Sequence, residues 1–247
     1  MNQQTLQEAI DEYIQNHNND NSKKTFGEYK EKMIHGILKC YFEKNINNRE
    51  VQVGTFYADI KNEKGIFEIQ TRLFDKLRSK LNYYLKEGKE VYIVHPLIKN
   101  KNIIYINLNS GQKTCRKSPV HASYFTPFKE LYKIKPYLKC DNLHFIFIYL
   151  DVTETKKEKL GIQNRKKRLI SSSKYPENIN DIIYINNIND YRKLLVGING
   201  EFTSKSLAKQ TKSRIKEVMI ALNVLYYLNI VERIGKIGRF YNYKIKE

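Results

Sequence analysis

Residues 54–70 read Gly54-Thr55-Phe56-Tyr57-Ala58-Asp59-Ile60-Lys61-Asn62-Glu63-Lys64-Gly65-Ile66-Phe67-Glu68-Ile69-Gln70, and this stretch decides the fold. Aromatic and aliphatic residues alternate on both sides of the polar run Asn62-Glu63-Lys64-Gly65, which predicts a β-hairpin with that run as its turn. Asp59 falls near the end of the first arm. Glu68 and Gln70 are two residues apart, so a strand projects both to one face while Phe67 and Ile69 point to the other. Two acids set inside apolar strands suggest a metal site. A hard divalent cation such as Mg2+ takes oxygen ligands, usually one or two carboxylates with waters and phosphate oxygens. Asp59 and Glu68 would supply the carboxylates and the Ile69 carbonyl a third oxygen. Such an ion activates water and neutralises charge on a phosphodiester. Gln70 would hold the attacking water or a phosphate oxygen, but it brings no charge. A polar solvent face on an edge hairpin is the other reading of the same spacing.

Working outward, an amphipathic helix is expected from about Phe26 to Phe42, with Tyr29, Met33, Ile37, Cys40 and Tyr41 inward. Glu28, Glu31 and His35 lie on it, and Glu31 and His35, four apart, share one side. Solvated glutamates and a histidine bonded locally or to solvent are the alternatives for these three. On the other side of the hairpin, apolar residues at 74, 77, 81, 84 and 85 predict a helix over 71–85, with Arg72 at its start and Lys76, Arg78 and Lys80 on its polar side. Strands are expected over 90–96 and 103–108, separated by a turn at Lys99-Asn100-Lys101-Asn102. Upstream, Leu6, Ile10 and Ile14, with Tyr13 beside them, predict a short helix that breaks at Asn16 to Ser22.

Asp59 followed by Glu68-Ile69-Gln70, on a hairpin between two helices, resembles the PD-(D/E)XK restriction-endonuclease-like nucleases. Gln70 stands where most members have Lys, and Ala58 where Pro is usual. The family core of helix, three strands, helix and strand can be laid on residues 29–96. The resemblance implies metal-dependent DNA cleavage with Mg2+, Mn2+ substituting, and catalytic roles for Asp59, Glu68 and Gln70. It adds Glu31 from the first helix, with Glu28 as its rival. The charge absent at Gln70 would come from Arg72 or Arg78. Members with Gln in that slot include active enzymes and ones that have lost cleavage, so the alternative is a non-catalytic DNA-binding regulator built on a nuclease fold. A restriction or defence role is the context implied. The layout also resembles uncharacterised bacterial proteins of this class that end in a winged helix.

The last sixty residues carry that ending. A short helix is expected over Tyr191 to Val196, a second capped by Thr203, and a third capped by Ser213 with Ile215, Val218, Met219, Leu222 and Leu225 on one side. Strands over 230–234 and 239–245 follow, joined by Gly235-Lys236-Ile237-Gly238. Three helices and a basic hairpin resemble a winged helix-turn-helix. Its third helix would enter the major groove of double-stranded DNA with Lys212, Arg214, Lys216 and Asn223, and its wing would touch phosphate with Lys236 and Arg239. Protein docking or homodimerisation is the other use of such a module.

The middle of the chain says less. Thr126-Pro127 starts a helix that should end before Pro136. Leu143 to Asp151 reads as a buried strand, and the polar, basic run from Lys156 to Lys174, centred on Arg165-Lys166-Lys167-Arg168, as a linker or a phosphate contact. The expected fold is thus α/β: a restriction-endonuclease-like mixed sheet flanked by helices over 26–155, after an N-terminal helix and linker over 1–25. A basic linker over 156–185 and a winged helix-turn-helix over 186–247 complete it.

Composition agrees with a folded chain of 247 residues, 41% hydrophobic and 12% aromatic. The formal net charge of +18 attracts polyanions, above all nucleic acid, although abundant Lys, Asn, Ile and Tyr are also what AT-rich genomes encode. Cys40, Cys115 and Cys140 form no Cys-x-x-Cys pair, which suits a reducing cytosol. They read as small buried thiols. A zinc set of Cys115, His121, Cys140 and His144 is the alternative, with a spacing that matches no standard module. No signal-peptide pattern opens the chain, and its longest apolar stretch, Phe145 to Leu150, is too short to span a bilayer. A cytoplasmic protein without a membrane partner is expected.

Overall fold

The computed structural model describes residues 5–18, 29–160 and 167–246, the side chains of 17–18, 29–32, 158–160 and 167–172 excepted. In chain order the elements are α1 (Leu6–Asn18), α2 (Tyr29–Phe42), β1 (Arg49–Val53), β2 (Phe56–Asn62), β3 (Gly65–Ile69), a 3-10 turn (Phe74–Leu77) running into α3 (Arg78–Lys86), β4 (Val91–Asn107) and β5 (Lys113–Lys117). Then come α4 (Phe128–Leu131) with a 3-10 extension (Tyr132–Tyr137), β6 (Leu143–Leu160), β7 (Lys167–Ile185) and a 3-10 helix (Ile188–Leu195). The chain closes with β8 (Glu201–Thr203), α5 (Ser204–Gln210), α6 (Ile215–Tyr227), β9 (Val231–Ile237) and β10 (Phe240–Ile245). Among the described residues the strands form a seven-stranded sheet in the order β1-β2-β3-β4-β6-β7, with β5 on β4, and a three-stranded sheet, β8-β10-β9. The large sheet is mixed: β1 and β2 pair antiparallel, β3 and β4 parallel, β4 and β5 antiparallel. The architecture is α/β, a large mixed sheet flanked by helices.

Several elements depart from the sequence reading. The polar Lys99–Asn102 stretch is no turn, because β4 runs through it for 17 residues and pairs Asn102 with Lys117 on β5. The expected basic linker over 156–185 is strand in its described parts, the end of β6 and all of β7. Of the basic run, Arg165 and Lys166 lie outside the described residues, as do 19–22 of the expected break over 16–22, while the first residues of that break, 16–18, continue α1 instead of breaking it. Helix 71–85 begins later, as a 3-10 turn at Phe74. The helix from Thr126 does not stop short of Pro136, which lies inside the 3-10 extension beyond a kink at Ile134.

The chain divides into two compact units, each drawn from three separated segments. The first takes the chain up to Asn62, Pro96–His121 and Ile148–Ile182, and the second takes Glu63–His95, Ala122–Phe147 and the chain from Ile183 on.

In the first unit α1 packs on α2. Ala9, Ile10 and Tyr13 are buried whereas Ile14 is exposed, so the packed stripe is narrower than the four-residue spacing suggested. A Cβ built on Gly36 would stand 2.2 Å from Tyr13 Cε2, so the bare helix surface at Gly36 is what admits the ring. Arg49 fastens the same corner: Nε donates to the Glu43 carbonyl at 2.8 Å and Nη1 to Glu12 Oε1. Beside it the Cys40 thiol is pushed up to about 11 by burial, against the pull of Arg49, and stays protonated at neutral pH. Cys115 is exposed and Cys140 half-buried, so only Cys40 matches the expected buried thiol.

In the second unit β3 pairs in parallel with β4, from Ile66 opposite Val91 to Ile69 opposite Val94, across α3. Gly65 opens this pairing at φ +138°, where a Cβ would lie 2.4 Å from the Glu90 carbonyl oxygen. At the other end the loop from β3 to α3 is clamped. The Gln70 amide donates to the Arg72 carbonyl and, at 3.5 Å, to the Leu73 carbonyl. Leu73 takes a left-handed conformation, φ +61°, and the next N–H, of Phe74, donates to buried Glu130 at 2.9 Å. These bonds use backbone groups that a helix starting at Thr71 would need, which is why α3 starts late. His95 completes the clamp, its Nδ1 2.7 Å from the Gln70 carbonyl and its ring edge-on to Phe74. Burial pushes His95 down to about 4, although the Gln70 carbonyl and the Glu130 carboxylate pull the other way. The neutral ring therefore donates Nδ1–H to Gln70.

The C-terminal elements, also in this unit, follow local capping signals. Thr203 and Ser206 form a reciprocal capping box at the start of α5. Ser213 does not cap α6: its hydroxyl donates to the Thr211 carbonyl, and Arg214 takes the cap position without a side-chain bond. The predicted helix over Tyr191 to Val196 is a 3-10 helix, Ile188–Leu195, capped reciprocally by Asn187 and Asp190.

Two tests follow from this packing. Gly36→Ala should destabilise by about 1–3 kcal/mol through overpacking on Tyr13, despite alanine's better helix propensity. Gly235→Ala, where a Cβ meets nothing within 4 Å, serves as its near-neutral control in thermal melts. The His95 shift links to pH. Its folded value lies below the ordinary 6.5, so the unfolded chain binds more protons between about pH 6.5 and 4, and stability is lost as pH falls through that window. The full loss is of order 3 kcal/mol. Urea midpoints at pH 7.5 and 4.5 should therefore diverge in the wild type and less in His95→Asn.

Candidate functional site

Glu68 is the most enclosed acid near the hairpin, 3% exposed on β3. Lys80 reaches it from α3, with Nζ 2.9 Å from Oε1 and 2.8 Å from Oε2. The spacing that puts Leu77, Leu81 and Tyr84 of the 3-10 turn and α3 into the core turns Lys80 toward β3. An ammonium on both oxygens is the strong, charge-assisted form of such a bond. It places a positive charge beside Glu68, from a residue that the sequence reading named only on the polar side of this helix. Arg78 is engaged elsewhere: it donates Nε to the Lys133 carbonyl at 2.9 Å and braces the 3-10 extension, while Arg72 is exposed.

Gln70 is fixed on every side the loop offers. Its N–H donates to the Val94 carbonyl, its carbonyl accepts from His95, and its amide group is tied to Arg72 and Leu73. This leaves the amide oxygen as the acceptor able to orient a water. His95, Glu130 and Lys80 were not singled out as site residues in the sequence. For His95 the signal was there, a histidine inside the apolar run Val91-Tyr92-Ile93-Val94-His95-Pro96-Leu97, a place where a polar side chain needs a partner.

In the first unit, Asp59 of β2 faces α2. Its Oδ1 lies 2.9 Å from His35 Nε2 and 3.7 Å from Lys39 Nζ, one helical turn apart. The histidine nitrogen is shielded from solvent and poorly aligned for a hydrogen bond, so the contact is an ion pair when the ring is protonated. His35 thus meets an acid, where the sequence reading gave it a local or solvent bond. Lys39 also touches Glu50. The side chain of Glu31 is outside the description, and Glu28 lies outside the described residues altogether.

Asp59, Glu68 and the Ile69 carbonyl, the set expected from the sequence, are oxygen donors of the kind a hard divalent ion takes. Among the described residues no group of three or more His, Cys, Asp or Glu side chains gathers at a metal-binding distance. That removes the zinc set. His121 Nδ1 is 3.0 Å from the Lys99 carbonyl, and His144 is held between the Asn186 carbonyl and Glu90.

On α6 the buried face is Val218, Ala221, Leu222, Val224 and Leu225. Lys212, Arg214, Lys216 and Asn223 are exposed, as are Lys236 and Arg239 on the hairpin. Ile215, Met219 and Tyr226 share the exposed stripe, which is therefore mixed in character. Asn223 accepts from Lys135 at 3.2 Å, Lys236 lies 5.0 Å from the Tyr241 ring centroid, and Arg239 lies 5.2 Å from that of Phe240.

No helix among the described residues is long and apolar enough to cross a membrane. An uncharacterised protein of Treponema pallidum (strain Nichols) is 26% identical over 199 residues, which span 78% of this chain and 71% of the relative. No solved structure matches. The sequence model of one family matches residues 32–186, a stretch that holds Asp59, Glu68, Gln70, Lys80, His95 and Glu130 and stops short of the C-terminal helices. On that match, over more than half of its length, the chain belongs to the family described as a domain of unknown function, DUF8091.

Proposed function

We propose that the protein is a metal-dependent DNA endonuclease that hydrolyses phosphodiester bonds, built on a restriction-endonuclease-like core with a C-terminal winged helix-turn-helix as DNA reader. The observation that carries the reading is Lys80 on Glu68. A lysine from the following helix supplies the charge that Gln70 lacks, which removes the main departure from the nuclease pattern. Mg2+, or Mn2+ in its place, would be held by Asp59, Glu68 and the Ile69 carbonyl and would supply Lewis-acid stabilisation and an activated water. Lys80 holds the Glu68 carboxylate in one orientation and presents its ammonium to charge developing on the phosphate. Gln70 orients water through its amide oxygen, and His95 and Glu130 position Gln70 through the backbone. On the C-terminal module, a helix, a short turn, a second helix and a hairpin follow in the winged-helix order, and exposed Lys212, Arg214, Lys216, Lys236 and Arg239 are the phosphate and base contacts proposed for it. A bacterial, cytoplasmic defence setting and a homodimer belong to the same proposal.

A specific observation favours the second reading, a DNA-binding regulator that does not cut. Both Glu68 oxygens are already satisfied by Lys80, and the carboxylate is almost wholly buried.

Plasmid nicking in Mg2+ and Mn2+, with circular dichroism to confirm folding, tests the chemistry. Glu68→Ala should abolish cleavage, Lys80→Ala should slow it about 100-fold or more, and Gln70→Lys should retain or raise it. Wild-type rates in Glu68→Ala would place the activity elsewhere. Calorimetric titration with Mg2+ separates the two readings: heat lost in Asp59→Ala supports the nuclease, and no heat in the wild type supports the regulator. DNA affinity should fall linearly in log K against log salt. Charge reversal at Lys212 and Arg214 together should weaken it at least as much as reversal at Lys166 and Lys167.

A further inference from the structure

Another feature of the second unit is a cavity of about 590 Å³ whose lining includes Lys139, Tyr226, Tyr227, Glu232, Arg233 and Lys246. Its cations rest on aromatic rings. Lys139 Nζ lies 4.5 Å from the Tyr227 ring centroid and Lys135 Nζ 5.1 Å from the same ring. The Arg233 guanidinium carbon lies 4.4 Å from the Tyr226 centroid and 4.0 Å from that of Tyr241. Lys246 and Lys135 donate to the neutral amides of Asn229 and Asn223.

Other lysines of the protein are neutralised instead. Lys80, Lys101, Lys133 and Lys193 each pair with a carboxylate. Among the described residues no carboxylate pairs with Lys135, Lys139, Arg233 or Lys246, although Glu232 lines the same cavity. Three lining cations face one acid, and a concave, partly apolar wall focuses the resulting positive field outward. Cation–π contacts hold such groups in place without cancelling their charge.

What completes the cavity must therefore bring negative charge and a flat surface. A lone phosphate supplies the first only and is small for a volume that matches whole-ligand pockets. An acidic peptide would meet the cations but has no planar base to extend the Tyr226–Arg233 stack. Aromatic faces interleaved with basic side chains are the pattern that takes up unpaired bases together with their backbone phosphates.

We propose that this cavity holds an unpaired nucleotide of a nucleic-acid strand, with its phosphate on Lys139, Arg233 and Lys246 and its base on the Tyr226–Arg233 stack. The partner class rests on the nucleic-acid reading above, but the site is separate from Glu68 and uses none of its chemistry. It would let the protein grip a frayed or single-stranded end beside a duplex.

Fluorescence anisotropy with a short labelled oligothymidylate, in the absence of divalent ions, tests this independently of cleavage. Arg233→Ala with Lys139→Ala should weaken single-strand binding about tenfold or more, and Tyr226→Leu about tenfold. Affinity for a blunt duplex of the same length should change less. Arg233→Lys, which keeps the charge and loses the planar stack, should give an intermediate loss and covers the case in which the double variant does not fold. Unchanged single-strand binding in the folded variants overturns the proposal, as does an equal loss on duplex. So does displacement of the strand at similar concentrations by adenosine monophosphate, which would mark a free-nucleotide pocket, or by an acidic peptide.

Discussion

A carboxylate placed in the interior of a protein must be neutralised, and in this chain that requirement falls on Glu68 and Lys80. Removing two charges from water costs several kcal/mol per ion after relaxation, and their attraction offsets this only when the geometry is good. Here the geometry is good, with both oxygens of a 3%-exposed glutamate within 2.9 Å of one ammonium. The pair fixes the rotation of α3 in its unit, since Lys80 reaches β3 only while Leu77, Leu81 and Tyr84 face the core. A well-packed apolar pair would commonly be as stable or more so. That the charges are retained is the physical reason to look for chemistry at this spot.

Around this pair the backbone is held by buried polar groups. His95 and Glu130 lie on separate elements, yet both act on the five residues from Gln70 to Phe74, one through a carbonyl and one through an N–H. Leu73 in a left-handed conformation is the residue that bears the resulting strain, a cost that surrounding contacts must hold in place. Such strain is common where a loop's shape has a use, and the loop here presents the amide of Gln70.

Local patterning foretold the elements whose signals are local. The alternation across Phe56 to Ile69 gave the hairpin strands and Thr203 gave the start of α5, whereas β9 runs on through Gly235, Lys236 and Ile237, which the sequence reading had placed in the turn before β10. Where long-range pairing competes with local polarity, pairing won. Lys99 to Asn102 has turn composition but is drawn into β4 by its ladder with β5, and the polar run after Lys156 continues β6. The sequence singled out Asp59, Glu68 and Gln70 by residue type and spacing, but not the side chains that they contact. Lys80 lies twelve residues beyond Glu68 and His95 twenty-five beyond Gln70, distances over which no spacing rule in a single sequence connects two side chains.

The interleaving of the two units has a consequence for how the protein is made. Each unit draws on three stretches of chain, so neither can be finished while a ribosome has delivered only a contiguous first half. The first unit waits for residues up to 182, and the second for the helices beyond 183. During that interval β3 and the early part of β4 have apolar faces without their later partners. Contacts this distant in sequence slow folding and lengthen the exposure of strand edges. Nascent chains of this protein should therefore lean on chaperones throughout synthesis, and single-cut fragments should be poor substitutes for the whole.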